Sequence, residues 1–221
     1  RYFEEFSDSK SHYLVPDNYQ ADPLRGLAYR TSPTNIGLGL LAILAARDFG
    51  YIGTSEMIEQ IEKTISSMEK LDKWNGHLFN WYDTRTAKPL QPTYVSTVDS
   101  GNLLGYLITL SQGLKDYLAK PLVDNRFSYG IRDTLQCAGV DGVIAWNKLI
   151  TIHRLPFTEN VDLTAWNQAL NEIIDEDEVK KIKRQNWQDK VEHMLTSFKK
   201  EMLEMMPVIA HLASMPESFN N

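Results

Sequence analysis

The sequence predicts a mainly α-helical protein built from helical hairpins, with a small β-hairpin inserted near residues 77–96. Three observations support this fold class. Helix-starting residues stand before long segments whose apolar side chains recur at helical spacing. Two of these segments are joined by a short link that contains two glycines, which is typical of a helical hairpin. Strand-like alternation is concentrated in one stretch, within residues 77–96.

Residues 1–30 form the first segment, which carries aromatic residues, prolines and aspartates without a sustained period. The run Tyr13–Tyr19, with Pro16 and Asp17 at its centre, is an example. Such a segment lacks the periodic apolar face of a long helix. We expect an extended lead-in with at most one short helix, lying across the surface of the region formed by residues 31–221.

Two long helices are predicted next. Ser32 is a capping residue and Pro33 suits the first helical position, so the first helix should run from there to Phe49 and Gly50. The second should begin at Thr54. The apolar residues that mark these helices are Leu38, Leu41 and Leu44 in the first, and Ile58, Ile61, Ile65 and Met68 along one face of the second.

The pattern then changes to that of a short hairpin. His77–Asp83 is aromatic and roughly alternating, Thr84–Lys88 is turn-like, and Pro89–Val95 is extended again. We expect a hairpin of this size to be a small addition to a helical fold.

Helical spacing returns after the hairpin. One helix should start at Val98 or Asp99 and end near Leu118. Further helices are predicted over Phe127–Cys137 and Val161–Ile174. The stretch Glu178–Leu212 predicts one or two more, interrupted by Pro207.

Composition and motifs exclude several classes of function. The chain has 23 basic and 29 acidic residues, mixed along its length, for a formal net charge of -6. This balance argues against a nucleic-acid binder that neutralises phosphates, and it favours a neutral or small polar ligand. Glycine-rich phosphate loops, Gly-x-Ser-x-Gly and His-Glu-x-x-His are absent from the sequence, so the corresponding nucleotide-binding and hydrolase classes are not indicated.

The sequence offers no metal or redox chemistry. Cys137 is the single cysteine, so the chain can form neither an intrachain disulfide nor a thiolate metal site, and we expect a buried, inert thiol. The five histidines have no partner at i+4, which makes a zinc site improbable. The longest apolar run, Ile36–Ala46, is too short to cross a membrane and is typical of a buried helix. We expect no cofactor.

Aromatic and polar residues are unusually dense between Gly76 and Asn102. Sugar binding uses this mixture, because flat rings cover the C–H faces of a pyranose while carboxylates, amides and guanidinium groups bind its hydroxyls. The opposing interpretation is that the aromatic residues belong to the core and that the polar residues cap a helix. The candidate substrate-binding residues are Trp81, Tyr82, Asp83, Arg85, Tyr94, Asp99, Ser100 and Asn102.

Four phrases in this region carry a family resemblance. They are Arg30–Leu38, Ala45–Gly53, Gly76–Thr84 and Val98–Leu103. In this order they resemble the helical part of bacterial cyclic β-1,2-glucan synthases. The match is specific over residues 30–103 and weaker after about residue 120.

The resemblance implies a large inner-membrane enzyme that makes a β-1,2-glucan from UDP-glucose and closes the ring by transglycosylation. Its helical part is similar to glycoside hydrolases with an (α/α)6 toroid. On this basis we expect a soluble fragment on the cytoplasmic face of the inner membrane, holding the N-terminal half of a toroid. Its partners would be a β-1,2-glucan or related oligosaccharide and the remaining domains of the parent synthase.

The resemblance also implies that the catalytic carboxylates lie beyond Asn221, so the catalytic residues are unknown and the isolated fragment is expected to be inactive. Retaining transglycosylation needs two carboxyl groups about 5 to 5.5 Å apart. Asp83 and Asp99 are expected to bind sugar hydroxyls or to support other groups that do. An alternative function is a non-catalytic helical module that packs against other domains of the synthase.

Half a toroid would leave an apolar edge uncovered, and such a patch commonly recruits a partner. We therefore expect the isolated fragment to self-associate, unless its last helices fold back into a small closed bundle. The residues expected at this edge are Met194, Leu195, Phe198, Met202, Leu203, Met205 and Met206.

Overall fold

The computed structural model describes residues 2–120, 124, 126–139, 163–175, 177–180, 182 and 185–205. It confirms a mainly α-helical architecture with small two-stranded sheets. The chain forms two compact units. Unit 1 comprises residues 1–45 and 57–120, and unit 2 comprises residues 46–56 and 121–221.

The helices and strands have the following bounds. The helices are α1 (Tyr2–Phe6), α2 (Pro33–Asp48), α3 (Thr54–Lys70), α4 (Thr97–Tyr117), α5 (Arg126–Ala138), α6 (Leu163–Asp175), α7 (Asp177–Lys180) and α8 (Gln185–Met205), with a 3₁₀ turn at Ser9–Ser11. The strands are β1 (Tyr19–Gln20), β2 (Gly26–Leu27), β3 (Arg30–Thr31), β4 (Lys73–Trp74), β5 (His77–Leu78) and β6 (Tyr82–Asp83).

The first 30 residues are more structured than expected. They contain α1, the 3₁₀ turn and an antiparallel β1–β2 pair. Leu14 and Val15 are buried, and Leu14 belongs to the core cluster of unit 1 together with Ile36 and Leu71. The segment therefore contributes Leu14 and Val15 to the interior of its unit, while most of its other residues are exposed or half-buried.

Helix α2 begins as predicted. The Ser32 hydroxyl accepts a hydrogen bond from the Asn35 backbone N–H at 3.3 Å, which caps the helix ahead of Pro33. At the other end Gly50 has a φ of 74°, and the Tyr51 N–H bonds to the Ala46 carbonyl at 2.8 Å. A left-handed glycine after the last turn is a common way to end a helix.

Helix α3 begins at Thr54 as predicted, but its buried face differs from the expected one. Met57, Ile61 and Thr64 are buried, whereas Ile58 is 46% exposed. These buried positions follow a spacing of three to four residues. Ile58, which the sequence placed on the same face as the buried Ile61, therefore lies outside the buried stripe.

The predicted hairpin is only partly formed. Strand β6 makes one bridge to Pro89, flanked by bonds from the Asp83 N–H to the Lys88 carbonyl and from the Leu90 N–H to the Trp81 carbonyl, both 2.9 Å. The regular pairing of this region is elsewhere: β5 pairs with β4, and β6 pairs with β3. The second of these pairs joins the matched sequence phrases that begin at Arg30 and Gly76.

Helix α4 is capped by Ser96, whose hydroxyl accepts from the Asp99 N–H at 3.2 Å. Only Leu110 and Tyr117 of this helix are buried. The exposed large apolar residues of α4 are Val98, Leu104 and Ile108, which are 69%, 61% and 62% exposed.

Unit 2 has its own core, in which α5 and α6 pack against α8. The rings of Phe127 and Phe198 stack with centroids 4.2 Å apart. The apolar residues of α8 that were expected at an exposed edge lie in this core, so that expectation is wrong. Those buried are Met194, Leu195, Phe198 and Met202; Leu203 is half-buried, and the side chain of Met205 and the whole of Met206 lie outside the described residues.

A buried polar group marks the start of α3 within unit 2. Glu201 is 2% exposed, and its carboxylate accepts hydrogen bonds from the Thr54 N–H at 2.8 Å and the Ser55 N–H at 3.3 Å. Arg47 is fully buried, donates to the Thr54 hydroxyl at 2.8 Å, and lies with its guanidinium carbon 4.5 Å from the Phe127 ring centroid. A side chain of α8 thus caps a helix that begins 147 residues earlier.

Cys137 is exposed, which corrects the expectation of a buried thiol. Helix α5 buries Ile131 and Leu135, and Cys137 lies away from that stripe. Among the described residues, no group of three or more potential ligands could hold a metal ion. In the same part of the chain, no helix combines the length and apolar character of a membrane span.

Candidate functional site

Strand β6 sets the orientation of the candidate residues in unit 1. Successive side chains of a strand point to opposite sides. Tyr82 is fully buried, whereas its neighbours Trp81 and Asp83 are half-buried. The strand therefore places a core ring between two side chains that reach the surface.

Trp81 is held on one face by Arg30, whose guanidinium carbon lies 4.3 Å from the ring centroid. Asp17 fixes that guanidinium, with the Arg30 Nη2 and the Asp17 Oδ2 2.8 Å apart. The other carboxylate oxygen of Asp17 accepts from the Asn35 amide at 3.2 Å. An arginine stacked on an aromatic ring and paired with a carboxylate is a well-ordered arrangement.

The indole of Trp81 is also held at its edge, by Asn80. Asn80 is 5% exposed, and one orientation of its amide satisfies all its neighbours. In that orientation the amide oxygen accepts from the Trp81 Nε1–H at 2.6 Å and from the Tyr94 hydroxyl at 2.8 Å, while the nitrogen donates to the Asp99 Oδ2 at 2.9 Å. The backbone N–H of Asn80 also donates to the Tyr94 carbonyl at 2.8 Å.

Asp99 is the point where several donors converge. Its Oδ1 accepts from the Thr34 hydroxyl at 2.7 Å, and its Oδ2 accepts from the Ser96 hydroxyl at 2.6 Å. Burial raises the pKa of Asp99, but hydrogen bonds from Ser96, Thr34 and Ser32 outweigh that effect and leave its pKa below the ordinary value. Asp99 is therefore a well-satisfied carboxylate that stays ionised at neutral pH.

Asn102 joins this network through Thr34. The Asn102 amide donates to the Thr34 hydroxyl at 3.1 Å, and the Asn102 side chain is exposed. The chain of contacts thus runs from Trp81 through Asn80 and Asp99 to Asn102. Five residues from three separate segments, Thr34, Asn80–Trp81 and Asp99 with Asn102, form one continuous polar network.

Asp83 and Arg85 form a separate local turn. Asp83 accepts from the Arg85 N–H at 2.8 Å, from the Arg85 Nη2 at 2.6 Å and from the Thr86 N–H at 3.2 Å. The Arg85 side-chain hydrogen bond is the main reason that the pKa of Asp83 lies below its ordinary value. The Arg85 guanidinium carbon lies 4.7 Å from the ring centroid of the half-exposed Tyr29.

Two of the predicted residues use their hydroxyls in hydrogen bonds within the protein. The Tyr82 hydroxyl donates to the Asp72 carbonyl and accepts from the Phe79 N–H, both at 2.7 Å. Burial raises the pKa of Tyr82 to about 12, so it is a neutral core residue. The Ser100 hydroxyl donates to the Ser96 carbonyl at 2.8 Å within α4. We leave both residues out of the candidate site.

The structure adds site residues that the sequence reasoning did not select. These are Asp17, Arg30, Thr34, Asn35 and Asn80. Most of them lie within the sequence phrases that carry the family resemblance. The polar residues of those phrases could therefore have been selected as candidates from the sequence. The pairing of β3 with β6, which brings them to Trp81, is a long-range contact that local patterns do not encode.

This arrangement suits recognition of hydroxyl groups better than acid–base chemistry. Tyr94 is 48% exposed and the Arg30 side chain is 47% exposed, so rings and hydrogen-bonding groups reach solvent together. Asp83 and Asp99 have lowered pKa values and several donors each, which makes them poor proton donors at neutral pH. These two carboxylates are therefore better suited to accepting hydrogen bonds than to donating protons.

Comparison with known proteins supports the resemblance seen in the sequence. No family model matches the chain. Over 121 residues, or 55% of the chain, the sequence is 50% identical to the cyclic beta-(1,2)-glucan synthase NdvB of Rhizobium meliloti (strain 1021), which confirms the resemblance to that group of enzymes. This stretch spans 4% of that relative.

Among solved structures, a candidate glucoamylase from Bacteroides fragilis NCTC 9343 is similar with a TM-score of 0.45 and 24% sequence identity. The similarity covers 59% of this chain and 32% of that chain.

Proposed function

We propose that this chain is part of a cyclic β-1,2-glucan synthase and that unit 1 contributes a surface that binds the glucan. The observation that carries the proposal is the pair of rings, Trp81 and Tyr94, which hydrogen-bond to one buried amide. We define the glucan surface as Trp81, Tyr94, Arg30 and Asn102. The 50% identity to a synthase of this kind supports the choice of ligand.

The chemistry of the glucan surface fits a neutral sugar chain. A tryptophan or tyrosine ring covers the C–H face of a pyranose, and the amide of Asn102 and the guanidinium of Arg30 hydrogen-bond to hydroxyls. Of the four residues of the glucan surface only Arg30 is charged, and it already pairs with Asp17, so the surface does not select an ionic ligand. Binding would then depend on shape and hydrogen bonds, and only weakly on salt.

The remaining parts of the proposal rest on the similarity to cyclic β-1,2-glucan synthases. The chain would form the N-terminal half of an (α/α)6 toroid on the cytoplasmic face of the inner membrane. The catalytic carboxylates would lie outside this chain. The other half of the toroid and the remaining domains would complete the cleft over the glucan surface, and the isolated chain would show little turnover.

A binding experiment tests the proposal. The 221-residue chain is titrated with linear β-1,2-gluco-oligosaccharides by calorimetry, with β-1,3-linked oligosaccharides as the linkage control. We expect saturable binding that Trp81→Ala abolishes and Trp74→Ala preserves, since Trp74 is 58% exposed on β4 and contributes nothing to the network. Binding that survives Trp81→Ala, or no binding by the wild type, would overturn the proposal.

One observation favours a second candidate function, a helical module that packs against other domains of the synthase. The three exposed apolar residues of α4 are Val98, Leu104 and Ile108. Leu104 and Ile108 are one turn apart and so share a face, and a contiguous apolar patch of more than a few hundred Å² commonly packs against a partner. In this case the isolated chain would bind no sugar, would self-associate in light scattering, and would become monomeric on Ile108→Lys but not on Ile58→Lys.

A further inference from the structure

The Asn80 side chain contacts both rings of the glucan surface. Its amide oxygen accepts from the Trp81 indole at 2.6 Å and from the Tyr94 hydroxyl at 2.8 Å. Because the Trp81 Nε1 and the Tyr94 hydroxyl oxygen donate to the same acceptor, the distance between these two atoms cannot exceed the sum of the two hydrogen-bond lengths. The polar edges of the two rings are therefore held side by side.

The amide is itself held in one orientation. Its nitrogen donates to Asp99 at 2.9 Å, and this bond turns the oxygen toward the two rings. Asp99 is fixed in turn by the Thr34 and Ser96 hydroxyls. Because Asn80 is 5% exposed, water does not compete freely for these bonds, and a reversed amide would leave the Trp81 N–H facing another donor and the Asp99 Oδ2 facing another acceptor.

We propose that Asn80 is a positioning residue that, oriented by Asp99, locks Trp81 and Tyr94 into a single two-ring platform for a β-linked glucan chain. This inference rests on the proposed function of the glucan surface. Asn80 contacts no ligand itself and acts through the two rings. Its effect is to remove the entropy cost of ordering two aromatic side chains when the sugar binds.

Asn80→Asp tests the role of the amide with almost no change in shape. The new carboxylate keeps an acceptor for the rings but places a second carboxylate against Asp99 at the former hydrogen-bond distance. Two carboxylates that close cannot both ionise at low cost, so the pair retains a proton to a higher pH than a lone carboxyl. The bond to Asp99 is then restored at low pH and lost at high pH.

The ionisable groups that contact the Asn80 amide, among the described residues, are Asp99 from α4 and Tyr94 from the segment before it. Arg30 and Asp17 lie one contact further away, on the face of Trp81. In the wild type the Asp99 carboxylate stays ionised between pH 5 and 8, because its pKa is lowered. Wild-type affinity should therefore change less than twofold over this range.

The experiment measures the dissociation constant for a linear β-1,2-gluco-oligosaccharide at pH 5 and pH 8. At pH 8 we expect Asn80→Asp to bind about tenfold more weakly than the wild type, because the free energy of about one hydrogen bond that positions the rings is lost. At pH 5 we expect its dissociation constant to return to within about threefold of the wild-type value. The double variant Asn80→Asp/Asp99→Asn exchanges amide and carboxylate, so it should regain binding at pH 8. Equal weakness at both pH values, or no effect at either, would overturn the role of Asn80.

A second readout separates failure of this inference from failure of the proposed function. The indole N–H signal of Trp81, assigned by its loss in Trp81→Phe, is followed by NMR without any sugar. We expect its shift to depend on pH between 5 and 8 in Asn80→Asp and not in the wild type. If the shift depends on pH in Asn80→Asp but the wild type binds no glucan, the glucan platform is refuted. If the shift does not depend on pH in either protein, the positioning by Asn80 is refuted.

Discussion

The Thr34 hydroxyl donates a hydrogen bond of 2.7 Å to the Asp99 carboxylate, joining two residues that are 65 positions apart. Thr34 lies in the first turn of α2 and Asp99 in the first turn of α4. The N-terminus of a helix carries a partial positive charge and unpaired N–H groups. One carboxylate therefore serves the starts of two helices, which explains why it is so richly supplied with donors.

Replacing this carboxylate should lower the stability of unit 1. We expect Asp99→Asn to reduce the free energy of unfolding at pH 7 by about 2 kcal/mol, because hydrogen bonds to a charged group become hydrogen bonds to a neutral one. Since the folded-state pKa of Asp99 is lowered, this contribution is present above the unfolded-state pKa and is lost as pH falls through the folded-state value. Urea unfolding of both proteins at pH 7 and at low pH measures the difference.

The exposed Glu62 on α3 provides the control, and Glu62→Gln should change the unfolding free energy by less than about 0.5 kcal/mol. If the difference in unfolding free energy between the wild type and Asp99→Asn does not decrease toward low pH, the charge of Asp99 is not the source of its contribution to stability.

Local sequence signals were sufficient to predict both ends of α2, α4 and α5, and the start of α3, to within one or two residues. Capping residues, a proline at the first helical position and a glycine after the last turn act within a few residues of each helix end. The same reasoning placed Trp81, Asp99 and Asn102 in one candidate set, and the structure joins them in one hydrogen-bond network; their role in sugar binding stays a prediction.

Local sequence signals did not predict the long-range contacts. The pairing of β3 with β6 brings Arg30 onto Trp81, and no local pattern encodes that partner. Strand alternation could have shown that Tyr82 faces away from Trp81, since consecutive residues point to opposite sides. The apolar residues of α8 were correctly recognised as a face that must be covered, but the sequence did not show that α5 and α6 cover it.

The stacking of Arg30 on Trp81 should shield the indole from solvent. We expect Arg30→Ala to increase the accessibility of Trp81 to acrylamide, because the guanidinium that covers one ring face is removed. Fluorescence quenching measures the change, most clearly in a Trp74→Phe background that removes the other tryptophan of unit 1. Arg25→Ala, at an exposed position, should leave quenching unchanged, and equal effects of the two substitutions would contradict the stacked geometry.

The closed core of unit 2 predicts a large cost for truncating Met202. This side chain is 1% exposed among residues of α5 and α6. We expect Met202→Ala to lower the free energy of unfolding by about 2 to 4 kcal/mol, because it leaves a cavity in a packed cluster. Thr196→Ala, at an exposed position of the same helix, should change stability by less than about 0.5 kcal/mol. A loss below about 1 kcal/mol for Met202→Ala would indicate that this face of α8 is uncovered.

Glu201 should make unit 2 less stable as pH rises. Burial raises the pKa of Glu201, and the hydrogen bonds from Thr54 and Ser55 and the charge of Arg47 only partly offset this. The folded chain therefore holds the Glu201 proton more tightly than the unfolded chain does. Stability from the protonated form is complete below the ordinary pKa of 4.5 and is lost as pH rises through the raised folded-state value.

Glu201→Gln isolates this effect, because glutamine keeps an acceptor for the Thr54 and Ser55 N–H groups but has no charge to desolvate. We expect the variant to match the wild type near pH 4 and to be the more stable protein at pH 8, as measured by urea unfolding across that range. Glu204→Gln is the matched control, since Glu204 lies one turn further along α8 with a side chain that is 57% exposed, and its curve should run parallel to that of the wild type. If Glu201→Gln is instead the less stable protein at pH 8, the charged carboxylate is required for the cap on α3.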